Sequence, residues 1–189
     1  MAPSPKGRKK TLRPSQGWRT SDEDEIERRR QRAAGELLAV EALEPGHPVF
    51  GTFRVSSETG SSYEVEIRSL AERDNSCGCP DYEVNGLGTC KHVEAVLARV
   101  GTSRQTAKPR IEVFLRRTGD RPEVRAQGLE RSGASRAQIL SDRYFTTKGA
   151  LRGDPLVRLP ALARALATAP AEVQARIRLS RHLLPWVEE

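Results

Sequence analysis

Three cysteines and one histidine fall within sixteen residues, as a CxC pair, a ten-residue spacer and a CxH pair. Thiolate and imidazole are donors that zinc prefers in proteins, and four of them complete a tetrahedral coordination sphere. The pattern predicts one structural zinc ion bound by Cys77, Cys79, Cys90 and His92. Because four protein ligands leave no position for water, we do not expect a catalytic metal.

Other interpretations of these residues are weaker. The three thiols could be free, without a metal. A disulfide between Cys77 and Cys79 would be strained and would leave Cys90 without a role. Asp81 is an alternative ligand, but a carboxylate is a harder donor than a site with three thiolates favours. The other histidines, His47 and His182, are most simply loop or structural residues.

The residues around the pattern predict the elements that hold it. Apolar and polar residues alternate over 49–55 and again over 63–67, which is typical of two strands with one buried face. A Ser- and Gly-rich stretch joins them, so we expect an antiparallel hairpin. The apolar spacing i, i+3, i+4, i+7 from Val93 to Val100 predicts an amphipathic helix that ends at Gly101.

The remainder of the chain divides by composition. We expect an α+β protein in which one zinc ion clamps an antiparallel hairpin to a helix, followed by a second small segment of a hairpin and helices. The predicted divisions are a flexible basic tail over 1–19, a helix over 20–44, the zinc-binding domain over 45–101, a linker over 102–109, and a mixed, mainly helical segment over 110–189.

Composition limits the cellular setting. The 189 residues contain no apolar run of the ~20 residues that a membrane helix requires. The basic opening segment lacks the apolar core of a secretory signal. Three cysteines cannot all pair within one chain, which fits a reducing compartment. We therefore expect an intracellular, cytoplasmic protein without a membrane partner.

The positive charge is unevenly distributed along the chain. Residues 1–19 carry a net charge of +6, residues 20–103 carry −7, and residues 104–189 carry +8. The cysteine-rich segment is therefore acidic, and any attraction to phosphates should come from its flanks. The candidate nucleic-acid contacts are Lys6, Arg8, Lys9, Lys10, Arg116, Arg117 and Arg121, although ordinary solvated arginines and lysines would look the same.

The pattern at Cys77, Cys79, Cys90 and His92 resembles the SWIM-type zinc finger, which is CxC, a variable loop, then CxH on a helix after a hairpin. The sequence over residues 45–101 also resembles the amino-terminal region of bacterial Swi/Snf-type ATPases of the helicase superfamily. The resemblance is carried by the segments Glu66-Ile-Arg-Ser-Leu, Cys-Pro-Asp-Tyr and Gly-Thr-Cys-Lys-His. That resemblance implies an accessory region that contacts DNA or protein beside an ATP-dependent motor.

The motor itself has no counterpart in this sequence. There is no GKT or GKS phosphate loop and no DEAH-like acid cluster, so we do not expect an enzyme. Either the chain is a piece of a larger ATPase or it works with a separate one. The leading hypothesis is a non-catalytic zinc-binding module that contacts DNA as the accessory region of a Swi/Snf-type motor. The alternative is a module that docks on a motor or complex partner without touching nucleic acid.

Overall fold

The computed structural model describes residues 20–44, 47–70, 72–101, 110–118, 121–130 and 135–187. The elements in chain order are α1 (Asp22–Gly35), β1 (Leu38–Ala42), β2 (Gly51–Ser57), β3 (Ser62–Ile67), β4 (Ser76–Cys77), α2 (Pro80–Asn85), α3 (Lys91–Val100), β5 (Ile111–Thr118), β6 (Arg121–Gln127), α4 (Arg136–Asp142), α5 (Pro155–Ala167), α6 (Ala171–Gln174), β7 (Ile177–Leu179) and a 3₁₀ helix (Arg181–Trp186). The predicted α+β class is confirmed.

The first sheet is antiparallel and follows the order β1-β2-β3-β4. Its centre is the predicted hairpin, in which Phe53 of β2 lies opposite Val65 of β3. The apolar face of this hairpin packs against Val93 and Val96 of α3, and both valines are fully buried. The helix and the hairpin thus share one core, as the apolar spacing of their sequences predicts.

The helix predicted over 20–44 is wrong in its second half. It begins with a capping box, in which the Ser21 hydroxyl and the Asp24 carboxylate accept from each other's backbone amides, and it ends at Gly35. Residues Leu38–Ala42 form β1 instead and pair antiparallel with β2. The alternation of Leu38 and Val40 with small or charged neighbours has the period of a strand, and this local pattern outweighs the helix propensity of Leu and Ala.

The second sheet follows the order β6-β5-β7. Strands β5 and β6 form the predicted antiparallel hairpin, and β7 lies parallel to β5 with Val113 opposite Leu179. Ser135 caps α4 by accepting from the Gln138 amide. The helices cover one face of this sheet, and their shared core contains Phe145 and Leu159.

Strand β5 has two buried faces, and the second face meets the first sheet. Ile111 and Val113 point into the core beneath the helices. The residues between them in the alternation, Glu112 and Phe114, are also buried, at 1% exposure each. The guanidinium carbon of Arg68, next to β3, lies 4.4 Å from the centroid of the Phe114 ring. The two sheets are therefore in direct contact through β5.

A buried group of arginines and glutamates completes this contact. Arg178 of β7 bonds to Glu44 at 2.6 Å, to Glu66 of β3 at 2.8 Å and to Glu112 of β5 at 3.0 Å. Its side chain is only 8% exposed. Two further arginines share these carboxylates, since Arg68 pairs with Glu66 and Arg110 pairs with Glu112. We call these six residues the charged joint, and its formal charges cancel.

The boundaries of the predicted domains are only partly within the described residues. The tail over 1–19 and the linker over 102–109 lie outside them. The first sheet extends beyond the predicted zinc-binding domain over 45–101, because β1 precedes residue 45, and the second sheet lies within the mixed segment over 110–189. That these parts fold independently stays a prediction.

Candidate metal centre

Four donor groups converge where the first sheet meets its helices. Cys77 lies at the end of β4, and Cys79 immediately precedes α2. Cys90 immediately precedes α3, and His92 lies in the first turn of that helix. All four residues are buried, and their donor atoms lie within 4.8 Å of one another. The structure thus brings together the four residues that the spacing predicts.

The distances between these donors fit one tetrahedral zinc ion. Nδ1 of His92 lies 3.8 Å from Sγ of Cys77 and 3.9 Å from Sγ of Cys90. A sulfur and a nitrogen bound to the same tetrahedral zinc lie roughly 3.6 Å apart. Three thiolates and one imidazole form a donor set that suits zinc better than a hard cation. The centre therefore fits Zn²⁺ with Cys77, Cys79, Cys90 and His92 as its ligands.

Two of the ligands occupy helix N-caps. Cys79 caps α2, with the Tyr82 amide donating to its Sγ at 3.4 Å and Pro80 in the first turn. Cys90 is the N-cap residue of α3, whereas the sequence favours Thr89 for that position. Thr89 instead donates to Glu94 at 2.6 Å. Sγ of Cys79 thus accepts from an amide that the helix start leaves free, whereas Sγ of Cys90 makes no such capping bond.

Helix α2 is not predicted from the sequence, where its residues belong to the ten-residue spacer between the ligand pairs. A signal for it exists, because proline is common in the first turn of a helix and follows the N-cap here. Six residues are too few for a periodic apolar pattern, and none of the α2 residues is buried. The helix is therefore visible in the sequence only through its first two residues.

The thiols strongly influence one another. Hydrogen bonds with the thiols of Cys79 and Cys90, reinforced by burial, raise the pKa of Cys77. The hydrogen bonds that Cys79 accepts from Cys77 and Cys90 lower the pKa of Cys79. Burial of three thiols side by side therefore makes their simultaneous ionisation unfavourable. A bound divalent cation keeps coordinating thiols deprotonated and so removes the cost of bringing three thiolates together.

Ion pairs fasten the surrounding helices to the centre. Asp81, the alternative ligand, forms a two-pronged pair with Arg29 of α1, at 2.6 Å for Nη2 and 3.1 Å for Nε. Its carboxylate is thus committed to α1 rather than to the donor cluster. Lys91 of α3 pairs with Glu36 just after α1. The first helix is held against both helices that carry zinc ligands.

The predicted nucleic-acid contacts lie far from one another in the chain. Lys6, Arg8, Lys9 and Lys10 fall outside the described residues. Arg116 of β5 forms an ion pair with Asp74 at 3.3 Å, with its side chain 41% exposed. Arg117 and Arg121 lie at the turn end of the β5–β6 hairpin, paired with Pro122 and Thr118. These three arginines therefore lie at one end of the β5–β6 hairpin, whereas the zinc ligands lie at β4 and at the starts of α2 and α3.

Comparison with known proteins supports the metal assignment. The SWIM zinc finger family model matches residues 61–101, a segment that includes β3, β4, α2, α3 and all four donors. No curated protein and no solved structure matches the chain. The chain therefore carries a zinc-binding module of the SWIM type. Among the described helices, none has the length and apolar character needed to cross a membrane.

Proposed function

We propose that this chain is a non-catalytic, zinc-stabilised module that contacts DNA and serves a Swi/Snf-type ATPase motor. The motor part of the proposal follows from the sequence of residues 45–101, which resembles the amino-terminal region of such ATPases. The DNA part follows from one observation above all. Among the described cations, those without an ion-pair partner are concentrated in residues 143–164, where carboxylates are sparse.

Zinc has a structural part in this proposal. The four donors come from β4, from the start of α2 and from α3, so the ion would hold three short elements in place. Short helices and two-residue strands have little stability of their own. A metal that binds only the folded arrangement contributes its binding free energy to folding. Zinc then preserves the shape of the first sheet without taking part in a reaction.

The acidic segment over residues 20–103 is compatible with DNA binding. Several of its carboxylates are neutralised by cations of the second segment, such as Glu44 and Glu66 by Arg178 and Asp74 by Arg116. Repulsion of phosphates by this segment is therefore weaker than the net charge of −7 over residues 20–103 suggests.

The proposal is tested by DNA binding of the zinc-loaded chain across a salt series. Phosphate contacts release counterions, so affinity for a labelled duplex should fall steeply as salt rises. A variant with Lys6, Arg8, Lys9 and Lys10 changed to alanine measures the share of the tail. Failure of the wild-type chain to bind duplex DNA at low salt would refute the DNA part.

The second candidate function is docking on a protein partner without nucleic-acid contact. It is favoured by exposed apolar side chains near the zinc centre, because Leu37 is 72% exposed and Val84 of α2 is 83% exposed. Leu37, Tyr63, Cys79 and His92 line one surface groove. Changing Leu37 and Val84 to serine should abolish binding to a Swi/Snf-type motor if this function holds, and should leave DNA affinity unchanged.

A further inference from the structure

The cations of the second segment fall into two groups. Arg110, Arg116, Arg178 and Arg181 pair with carboxylates and connect the segment to the first sheet or to its own strands. Five others form no ion pair within the described part of the chain; they are Arg143, Lys148, Arg152, Arg158 and Arg164, and we call the first four the basic cluster. Their charges are therefore not neutralised by a carboxylate within the described structure.

Hydrogen bonds gather this cluster around one short loop between α4 and α5. The Arg158 guanidinium donates to the carbonyl of Arg143 and lies 4.7 Å above the centroid of the Tyr144 ring. Nε of Arg152 donates to the carbonyl of Phe145 at 2.9 Å. Arg125 of β6 donates to the carbonyl of Lys148. Three guanidinium groups thus contact the backbone of the same six residues.

These contacts fix where the positive charge lies. An arginine held by a backbone carbonyl loses less conformational freedom when it binds a second group. Phe145 and Leu151 form a β-bridge that closes the loop, so its ends are also fixed. Arg152 and Arg158 are therefore prearranged cations, and the exposed side chains of Arg143 and Lys148 extend from the same fixed loop.

The nearby acids have other partners. Asp142 accepts from the Gln138 amide group at 2.7 Å, and Asp154 caps α5 by accepting from the Leu156 amide at 3.0 Å. Glu123 pairs with Arg125 at 3.4 Å. None of these carboxylates is within ion-pair distance of the basic cluster in the described structure. The exposed residues of the loop itself, such as Thr147 and Lys148, are polar or cationic.

We propose that the basic cluster is a contact surface for the phosphate backbone of nucleic acid. A polar, cationic surface with fixed guanidinium groups matches successive phosphates, to which arginine can donate two hydrogen bonds at once. Residues 143–154 expose no large apolar side chain, whereas Leu156 and Val157, at the start of α5, are 60% and 63% exposed. The inference rests on the proposed function and goes further, because it assigns the DNA contact to a surface on the second sheet's side of the molecule, distinct from the zinc module.

The test uses the full chain and two double variants of equal charge. Arg143→Gln with Lys148→Gln removes two exposed side chains that form no hydrogen bond in the described structure, so the loop should keep its shape. The control is Arg136→Gln with Arg181→Gln, two exposed arginines of the same segment outside the cluster. Both variants lose two positive charges, and zinc content and melting temperature establish that each is folded.

The measurement is the affinity of each protein for a labelled duplex across a salt series. The cluster variant should bind roughly ten- to hundredfold more weakly at 0.1 M salt, with its log–log salt slope reduced by about two, whereas the control should stay close to wild type. Equal weakening of both variants would overturn the inference and leave the proposed function standing. No binding by the wild type would overturn both.

A charge-matched acidic polypeptide serves as the competing probe. If it displaces the duplex at equal charge concentration, and the cluster variant loses both ligands equally, the surface recognises acidic protein and the nucleic-acid assignment is wrong. If the protein retains the duplex in the presence of the polypeptide, the surface prefers nucleic-acid phosphates and the assignment is supported.

Discussion

At the scale of single residues, the zinc ligands also organise the backbone. Cys79 and Cys90 occupy N-cap positions, where serine, threonine, aspartate or asparagine is usual. A sulfur in that position accepts from free amides at the helix start, as Sγ of Cys79 does from Tyr82. The same atom therefore serves the metal and the helix, so a cysteine replacement would affect both. The histidine offers a cleaner test of the metal alone.

We predict that His92→Ala lowers zinc affinity and stability, because it removes one of four donors. Structural zinc contributes roughly 10–16 kcal/mol to folding of small modules, so one ligand's share is about 2–4 kcal/mol. Zinc content after dialysis and urea unfolding would measure the two losses.

The matched control for this prediction is His182→Ala. His182 is exposed and lies outside the donor cluster, so its loss should leave zinc content and stability near wild type. Full zinc retention by the His92 variant would contradict its place among the ligands.

At the scale of elements, sequence periodicity predicted the long, amphipathic strands and helices. The alternation around Phe53 and Val65 and the spacing of Val93 and Val96 predict β2, β3 and α3, since in each case one face is buried. The ligand set was also predictable, because zinc imposes its own spacing rules on cysteine and histidine. Elements with few buried residues were not predicted. One is α2, and the other is β1, which follows α1 with no proline between them to mark the end of the helix.

The charged joint could not be predicted from the sequence. Arg178 and Glu44 are 134 positions apart, and nothing local distinguishes them from surface arginines and glutamates. Charged residues are usually exposed, so a buried pair is unexpected until the topology is known. The parallel pairing of β7 with β5 brings Arg178 beside Glu112 and against the first sheet. Such contacts depend on tertiary structure alone.

The loop between the two ligand pairs yields a prediction about close packing. Gly86 and Gly88 both have positive φ, at 66° and 67°, so alanine is strained at either position. A Cβ at Gly88 would also lie 2.6 Å from the Arg73 carbonyl oxygen, whereas nothing lies within 4 Å of one at Gly86. Gly88→Ala should therefore displace the segment that leads into Cys90 and accelerate zinc loss to a chelator.

Gly86→Ala is the control within the same loop, with backbone strain of about 1–2 kcal/mol and no displacement of Cys90. Zinc release rates in the presence of a competing chelator compare the two variants. Equal rates would indicate that backbone strain, not the contact with Arg73, accounts for the need for glycine at position 88.

At the scale of the whole molecule, the charged joint connects the two sheets. We predict that Arg178→Met destabilises the chain by about 3–5 kcal/mol, because Glu44, Glu66 and Glu112 would be left with fewer cations in a buried site. Denaturant unfolding would measure the loss.

The control is Arg181→Met, three residues further along. Arg181 is 48% exposed and pairs with Glu64 at 3.5 Å, and exposed pairs of this kind contribute about 0–1 kcal/mol. If both variants lost the same stability, the burial of the joint would not matter for the fold.

The joint should also make stability depend on pH in a way that one variant isolates. Burial raises the pKa of Glu44, but its hydrogen bonds and charge interaction with Arg178 lower it further, so the net pKa lies below the ordinary value. Its ionised form is therefore stabilised by folding. The contribution is complete above the ordinary carboxyl pKa and disappears as pH falls through the lower pKa of the folded state.

Glu44→Gln removes that ionisation and keeps the shape of the side chain. The wild type should be the more stable protein at pH 7, and the difference should shrink below about pH 4. Every other titrating group is present in both proteins, so the difference between them reports Glu44. Glu41→Gln, at an exposed pair with Arg54, should show almost no difference at any pH. A gap between wild type and Glu44→Gln that stays constant from pH 7 to pH 3 would mean that Glu44 is not held ionised by Arg178.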